Sequence, residues 1–213
     1  MNKNEKFVIT INRELGSGGR TVGEKLAERL GVSFYDKALI KALEEKYHLT
    51  VEEIENLKGQ KNNWWSDFKR VVSVGGALHQ SAYYQVPVGS KSELLTTADL
   101  FNAETEILEG IAENESCVIA GRCGFFVFRN HPNHLSILIL APLEYRIQRV
   151  MRKKGLSHED TEKIIRQVDR MRENYVTKYT NSSRYDARNY NLVISSDERT
   201  EDEIADLIVR YIG

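Results

Sequence analysis

Cysteine and proline are scarce in this sequence, which has two cysteines and three prolines in 213 residues. Cys117 and Cys123 are separated by five residues, a spacing that matches no common zinc arrangement and supplies no disulfide framework. No apolar run approaches the roughly 20 residues that a membrane helix needs. The opening segment, MNKNEK, has no signal-peptide pattern and leads directly into a strand-like segment. We therefore expect a cytoplasmic protein with no membrane partner.

Excess charge of either sign is also missing, because the formal net charge is −1 at pH 7. A nearly neutral chain has no overall attraction to nucleic acid or acidic lipid, so we expect no nucleic-acid partner. The sequence does not indicate the oligomeric state. With 41% hydrophobic residues, the chain can bury one substantial core. The composition predicts one compact domain over residues 1–213, with an insertion.

Hydrophobic periodicity predicts strands and helices that alternate along most of the chain. Short apolar runs predict five strands, at 7–11, 32–35, 117–120, 135–141 and 192–194. Helical spacing predicts intervening helices, including one near 97–113, one ending near Gly155 and a long one capped by Ser157. This alternation predicts an α/β fold with a five-stranded, mainly parallel sheet and helices on both faces.

Residues 59–96 lose this periodicity. They are aromatic, polar and dotted with glycine, and Pro87 lies among them. A structureless loop of that length is uncommon in a compact domain. We predict that 59–96 is an inserted, partly helical subdomain or lid.

The stretch ITINRELGSGGRTVGEKLAERLG, residues 9–31, reads as strand, glycine-rich loop and helix. Glycines at 16, 18 and 19 allow a tight loop whose backbone N–H groups point at one spot beside the positive end of the helix. The usual phosphate loop has glycine, lysine and a hydroxyl residue at its end, whereas this one reads Gly18, Gly19, Arg20, Thr21. The loop is therefore either a phosphate site without its lysine or a glycine-rich turn that binds nothing.

Four strings, in the same order, resemble the cytidylate kinase-like family of nucleoside monophosphate kinases, in the P-loop NTPase superfamily. The stretch at 9–31 resembles the P-loop segment, and FYDKALI, residues 34–40, resembles the second strand and monophosphate-binding helix. CVIAGRCG, residues 117–124, is similar to the third strand with its glycine–arginine pair, and DRMRENY, residues 169–175, to the arginine-bearing lid. The resemblance implies a three-layer P-loop kinase fold with 59–96 as the substrate-binding region and about 153–185 as the lid.

The resemblance also implies a function, the transfer of a phosphoryl group from ATP to a nucleoside monophosphate with Mg²⁺ as cofactor. Phosphoryl transfer requires groups that position anionic oxygens and offset their charge, which arginine does well. The implied phosphate-binding residues are Arg13, Gly16, Ser17, Gly18, Gly19, Arg20 and Thr21. The implied catalytic arginines are Arg20, Arg122, Arg170 and Arg172, with Arg146 or Arg149 in a supporting role. We expect Arg122, Arg170 and Arg172 to converge on one cleft. Asp36, Lys37 and Arg122 are the implied substrate-binding residues, and Thr21 and Asp36 the implied magnesium ligands.

The chain departs from well-characterised cytidylate kinases at several of these positions. Gly19 stands where those enzymes have the P-loop lysine. There are two candidate substitutes for that lysine: Arg20, which could fold back over the loop, and Arg13, which could reach the phosphates from the end of the strand. Ala120 and Cys123 replace two aspartates beside the glycine–arginine pair. Asp36 is the candidate magnesium ligand in their place, with helix capping as the alternative role.

Lys37 stands at a serine position, and Ala42 stands where an arginine is found. Cys123 is interpreted as a small buried residue rather than a nucleophile. These departures leave three functions open: a nucleoside monophosphate kinase, a P-loop kinase with another small acceptor, and a nucleotide-binding or regulatory protein that has lost catalysis.

Overall fold

The structure, a computed structural model, describes residues 1–36 and 97–213, with only the backbone described at 97–100 and 103. The chain divides into two compact units: residues 1–35 with 109–213, and residues 36–108. Lys37, Ala42 and the predicted insertion at 59–96 lie outside the described residues, so the roles predicted for them stay predictions.

A five-stranded sheet organises the described residues. Its strands are β1 (Val8–Arg13), β2 (Ser33–Asp36), β3 (Cys117–Ala120), β4 (His134–Leu140) and β5 (Leu192–Ser195). Their order in the sheet is β2-β3-β1-β4-β5. Strand β1 pairs in parallel with β3 and with β4, and β4 also pairs in parallel with β5. Because these strands run parallel, the loops after β1, β3 and β4 leave the sheet at one edge. In sheets of this kind that edge is where ligands bind.

Helices connect the strands. Numbered in chain order within the described residues, they are α1 (Gly19–Leu30), α2 (Thr97–Asn114), α3 (Gly124–Val127), α4 (Leu143–Lys154), α5 (His158–Thr180) and α6 (Glu201–Ile212). The short helix α3 is absent from our sequence prediction, since four residues carry too little periodicity to indicate it. Among the described helices, none combines the length and the apolar character needed to span a bilayer.

Helices cover both faces of the sheet. On one face, α1 and α6 share a buried apolar cluster with the strands, which includes Ile9, Ile11, Ile137, Ile139, Val22, Leu26, Ile204 and Ile208. On the other face, α3 packs closely on β1, since a Cβ added to Gly124 would lie 2.8 Å from Thr10 Cγ2. Alternate residues of a strand face opposite sides, which explains why Thr10 meets α3 while Ile9 and Ile11 meet α1. The predicted α/β fold with a five-stranded sheet is confirmed.

Local capping signals fix the ends of several helices. The side chain of Ser157 accepts a hydrogen bond from the Asp160 N–H at the start of α5, and Thr200 with Glu203 forms a complete capping box at the start of α6. Gly31 and Gly155 end α1 and α4 in the left-handed conformation. Helix α5 occupies most of the segment predicted as a lid, 153–185, and its role as a lid stays a prediction.

Candidate active site

The loop between β1 and α1 has the backbone conformation of an anion cradle. Gly16 (φ +89°) and Gly18 (φ +80°) are both left-handed, which glycine adopts without steric cost. Ser17 closes the turn between them, because its hydroxyl donates to the Glu14 carbonyl at 3.0 Å. Gly18 caps α1 without any side-chain hydrogen bond to the first turn. The helix therefore begins with no side chain of its own over its N-terminus.

Two carbonyl groups of this loop are held by groups outside it. The Leu15 carbonyl accepts a hydrogen bond from Arg146 Nη1 at 3.3 Å, and the Ser17 carbonyl accepts one from Ser196 Oγ at 2.6 Å. In a trans peptide the carbonyl and the next N–H point in opposite directions. The N–H groups of Gly16 and Gly18 are thus directed away from Arg146 and Ser196, and within residues 1–36 and 97–213 no protein acceptor binds them.

The start of α1 adds further donors. The Val22 N–H bonds the Gly18 carbonyl at 3.1 Å, so the N–H groups of Gly19 and Thr21 precede the first bond of the helical ladder. They lie at the positive end of the helix dipole. A left-handed glycine loop that leads into a helix N-terminus is typical of phosphate-binding loops, and the phosphate-binding role of 16–21 stays a prediction.

Arg146 contacts the loop through the Leu15 carbonyl and is itself bound by several protein groups. This buried side chain donates to the Ala141 carbonyl at 3.0 Å and pairs with Asp169 at 2.6 Å and with Glu14 at 3.4 Å. Asp169 in turn accepts a hydrogen bond from the Leu15 N–H at 3.0 Å. We expected Arg146 to support the charge of the transferring group, but its guanidinium is bound to these protein groups. It positions the loop instead.

Arg149, the other expected supporting arginine, pairs with Glu201 beside the cap of α1. A Cβ on Gly18 would lie 3.1 Å from Glu201 Oε1 and 3.4 Å from Arg149 Nη2. This ion pair therefore lies directly against the loop, on the side of the β5–α6 connection.

The two candidate substitutes for the P-loop lysine have different positions. Arg20 extends along α1, where it pairs with Glu24 at 2.7 Å and its guanidinium lies 5.9 Å from the Phe34 ring centre. Arg13, at the end of β1, is buried, and its Cβ lies 2.6 Å from where a Cβ on Gly19 would be. Its Nη1 is in contact with Gly121. Arg13, rather than Arg20, therefore occupies the space beside the lysine position.

Arg122 follows β3 in a strained turn. Gly121, Arg122 and Cys123 have φ values of +89°, +56° and +53°, a run of left-handed residues of which two have a side chain. Such strain is concentrated at ligand-binding sites in proteins. Burial raises the pKa of the Cys123 thiol to about 12, although the charges of Arg122 and Arg184 act in the opposite direction. Cys123 is thus a buried, protonated thiol, in line with our interpretation from the sequence.

Arg170 and Arg172 face different directions on α5. Residues two apart on a helix do not share a face. Arg172 Nη1 donates to the Arg13 carbonyl at 3.1 Å, whereas Arg170 is exposed. Of these two, the structure therefore brings Arg172 to the end of β1 and does not bring Arg170 there. The catalytic role predicted for Arg170 stays a prediction.

Arg184 also reaches the end of β1, although our sequence reasoning gave it no role. Its side chain has no solvent exposure, Nη2 donates to the Arg13 carbonyl and Nη1 lies 3.7 Å from Asp169 Oδ1. Tyr190 holds the same segment, since its hydroxyl donates to the Arg184 carbonyl at 2.7 Å and accepts from Asn12 Nδ2 at 2.7 Å. The string SSRYD, 182–186, has no periodic or motif signal that would indicate a buried arginine.

Thr21 and Asp36 are the predicted magnesium ligands. Mg²⁺ keeps several waters and needs only one or two protein oxygens. Thr21 is half-buried in the first turn of α1, and Asp36 is buried at the end of β2. In the part of the chain that the structure describes, no group of three or more histidine, cysteine or acidic residues is arranged to hold a metal by itself. A hydroxyl and a carboxylate are oxygen donors of the type that magnesium binds, and the role of Thr21 and Asp36 as its ligands stays a prediction.

Comparison with known proteins places this site in a family. Residues 8–198 match the model of the cytidylate kinase-like family. A crystal structure of an uncharacterised protein from Eubacterium ventriosum ATCC 27560 is similar over 97% of this chain and 98% of its own, with 24% identity and a TM-score of 0.70. The crystal structure of TT1252 from Thermus thermophilus is similar over 98% of this chain and 97% of its own, with 18% identity and a TM-score of 0.50. At these identities the likeness shows the fold.

A curated protein from Corynebacterium glutamicum, a uronate isomerase, is 30% identical over 142 residues. The match covers 66% of this chain and 26% of that protein, so the chain spans about a quarter of the length of the curated relative that it matches. The family model, in contrast, covers nearly the whole chain and includes the loop at 16–21, the Arg122 turn, Arg172 and Arg184. The chain belongs to the cytidylate kinase-like family.

Proposed function

We propose that this protein transfers the γ-phosphoryl group of ATP to a nucleoside monophosphate. The observation that carries this proposal is the loop at Gly16–Thr21, in which Gly16 and Gly18 are left-handed and the Leu15 and Ser17 carbonyls accept hydrogen bonds from outside the loop. The backbone N–H groups of such loops bind the phosphates of a nucleotide and need no lysine to be positioned. Membership of the cytidylate kinase-like family supports kinase chemistry, and it makes CMP the first acceptor to test.

The residues around the cradle suit phosphoryl transfer. The transferring group carries negative charge on its oxygens, and catalysis depends on positioned donors and cations that offset this charge. Arg13 and Arg172 lie at the end of β1, next to the cradle. Thr21 and Asp36 are the residues that would hold magnesium, which would supply positive charge to offset that of the donor phosphates.

The acceptor phosphate is assigned to Arg122, at the carboxyl end of β3. A guanidinium binds phosphate through two parallel hydrogen bonds, which orients the acceptor as well as attracting it. Ala120 and Cys123 flank this arginine where well-characterised cytidylate kinases have aspartates. Their side chains are buried and uncharged, so Arg122 is the residue of this turn that supplies charge for binding the acceptor phosphate.

The test is ATP turnover with a panel of acceptors. Purified protein is incubated with ATP and Mg²⁺ and with CMP, UMP, AMP, GMP or a set of small alcohols, and ADP formation is measured. We expect turnover with at least one nucleoside monophosphate. Arg122→Gln is expected to raise the acceptor KM at least tenfold. Arg129→Gln is the matched control, because Arg129 is an exposed arginine that lies over Phe126 on the adjoining helix.

Two outcomes would contradict the proposal in different ways. Turnover with an alcohol but with no monophosphate would retain the kinase and change the acceptor. ATP binding without turnover for any acceptor would support the alternative of a nucleotide-binding protein that has lost catalysis.

A further inference from the structure

The phosphate loop of this chain differs from the common one at two linked positions. The common loop has the pattern G-x-x-x-x-G-K, in which the lysine reaches the β- and γ-phosphates. When Gly18 is aligned with its second glycine, the first glycine corresponds to Arg13 and the lysine to Gly19. The cation and a glycine have therefore exchanged positions in the motif.

The same two positions are in direct contact in space. A Cβ on Gly19 would lie 2.6 Å from Arg13 Cβ and 3.2 Å from Arg13 Cγ, distances that real Cβ atoms do not tolerate without a shift. Gly19 is not among the left-handed residues, so its backbone conformation does not require glycine. The side chain of Arg13 is the nearest obstacle to a side chain at position 19, and Ile139 Cβ, at 3.3 Å from the added Cβ, is the next.

Geometry explains why Arg13 takes this path. Arg13 follows Ile9 by four residues and Ile11 by two, so its side chain leaves β1 on the face that α1 covers. Its backbone pairs with Ile139 of β4, and its carbonyl accepts hydrogen bonds from Arg172 and Arg184. These contacts fix the point from which the side chain extends.

The guanidinium end of Arg13 is directed towards the loop after β3. A Cβ on Gly121 would overlap Arg13 Nη1, so Gly121 is the second glycine that makes room for this side chain. Gly121 immediately precedes Arg122. The side chain of Arg13 thus extends from the start of α1, on the donor side, to the turn assigned to the acceptor.

We infer that Arg13 is the catalytic cation of this protein and replaces the P-loop lysine, with Gly19 and Gly121 as the positions that admit it. This inference rests on the proposed function. A guanidinium is always charged and offers five donors in a planar fork, so it can contact phosphate oxygens of donor and acceptor together. A lysine ammonium at the start of α1 is a single point charge. The transferring phosphoryl group is the ligand that this placement serves.

The test returns glycine to position 13 and lysine to position 19, as in the common motif. Four variants are compared with the parent: Arg13→Met, Arg13→Gly, Gly19→Lys and the double variant Arg13→Gly with Gly19→Lys. Each is measured for binding of inorganic tripolyphosphate without Mg²⁺ by calorimetry, for ATP turnover, and for thermal unfolding. Tripolyphosphate is the probe because it has the phosphate chain of ATP and no base.

Arg13→Met keeps most of the stem and removes the charge, so we expect at least a tenfold loss of tripolyphosphate affinity and at least a hundredfold loss of kcat. Gly19→Lys alone is expected to unfold at a lower temperature, because its Cβ collides with Arg13. The double variant removes the collision with Arg13 and restores the first glycine and the lysine of the usual motif. We expect at least a tenfold gain in affinity and kcat over Arg13→Gly.

The inference is overturned if Arg13→Met binds tripolyphosphate and turns over ATP as the parent does, and in that case the proposed function stands. It is also overturned if the double variant is folded and no better than Arg13→Gly. A parent that neither binds tripolyphosphate nor consumes ATP would overturn the proposed function, and this inference with it.

Discussion

Asp169 and Arg146 form a buried ion pair, 2.6 Å between carboxylate and guanidinium, that joins α5 to α4 beneath the phosphate loop. The other carboxylate oxygen of Asp169 accepts the Leu15 N–H, so one side chain connects both helices to the loop. Removing one partner of such a pair leaves an uncompensated buried charge. We expect Asp169→Ala to lower the free energy of unfolding by about 3 to 5 kcal/mol, measured by denaturant titration.

The control for that measurement is on the same helix. Glu162 and Arg166 form an exposed pair at 2.7 Å, one turn apart. Glu162→Ala is expected to change the free energy of unfolding by only about 0.5 kcal/mol, the usual value for an exposed helix pair. Equal losses for the two variants would contradict a special role for Asp169.

Gly18 and Gly31 allow a matched test of the cradle. Both are left-handed glycines at the two ends of α1, with φ +80° and +65°. Alanine at either position is expected to cost about 1 to 2 kcal/mol of backbone strain. Only Gly18 contributes to the phosphate loop, so Gly18→Ala should also lower phosphate or ATP affinity at least tenfold, as measured by calorimetry. A similar loss of affinity in Gly31→Ala would show that the effect is one of general stability.

Asp36→Asn separates magnesium binding from helix capping. Asparagine caps a helix about as well as aspartate but does not have the negative charge. We expect Asp36→Asn to raise the Mg²⁺ concentration needed for half-maximal ATP turnover at least tenfold, while the melting temperature changes little. Asp186→Asn is the control, because Asp186 caps the short helix at Ala187–Asn189. An unchanged Mg²⁺ dependence would leave Asp36 with only a capping role.

His134 makes stability depend on pH. Burial lowers the pKa of this imidazole to about 4, and the ring is 2.8 Å from the Thr10 hydroxyl. A histidine whose pKa is lower in the folded state contributes stability that is complete above its unfolded pKa, near 6.5, and that is lost as the pH falls towards 4. We expect a loss of up to about 3 kcal/mol over that range, measured by denaturant titration at each pH.

This loss should be absent from His134→Gln. The control is His158→Gln, since His158 is exposed and pairs with Glu144 at 3.0 Å. A parent and a His134→Gln variant with the same pH dependence between 6.5 and 4 would contradict the assignment.

The fold was predictable because its signals are local. The strand at 117–120 was predicted with the bounds that the structure has, and the strand at 135–141 with an offset of one residue. Ser157 caps its helix as predicted, since capping depends on a few adjacent residues. The phosphate loop is likewise contained in one short stretch of chain.

The groups that hold the site together were not predictable in this way. Nothing in the sequence around Asp169 distinguishes it from an exposed acidic residue that pairs with nearby arginines on a helix. Its burial follows from the packing of α5 against the loop, which involves residues more than 150 positions apart in the chain. Arg184 is recognisable only from its contact with the Arg13 carbonyl, 171 positions away. Pattern reasoning along the chain does not detect such contacts.

The contact between Arg13 and Gly19 also has an evolutionary consequence. A chain with this loop cannot acquire the common lysine motif by one substitution, because lysine at position 19 collides with Arg13. Loss of Arg13 first would leave the loop with neither cation. The two forms of the loop are therefore separated by an unfavourable intermediate whichever change comes first. A lineage that has Arg13 with Gly19 is expected to keep both residues together and to adapt to new acceptors by changes elsewhere in the chain.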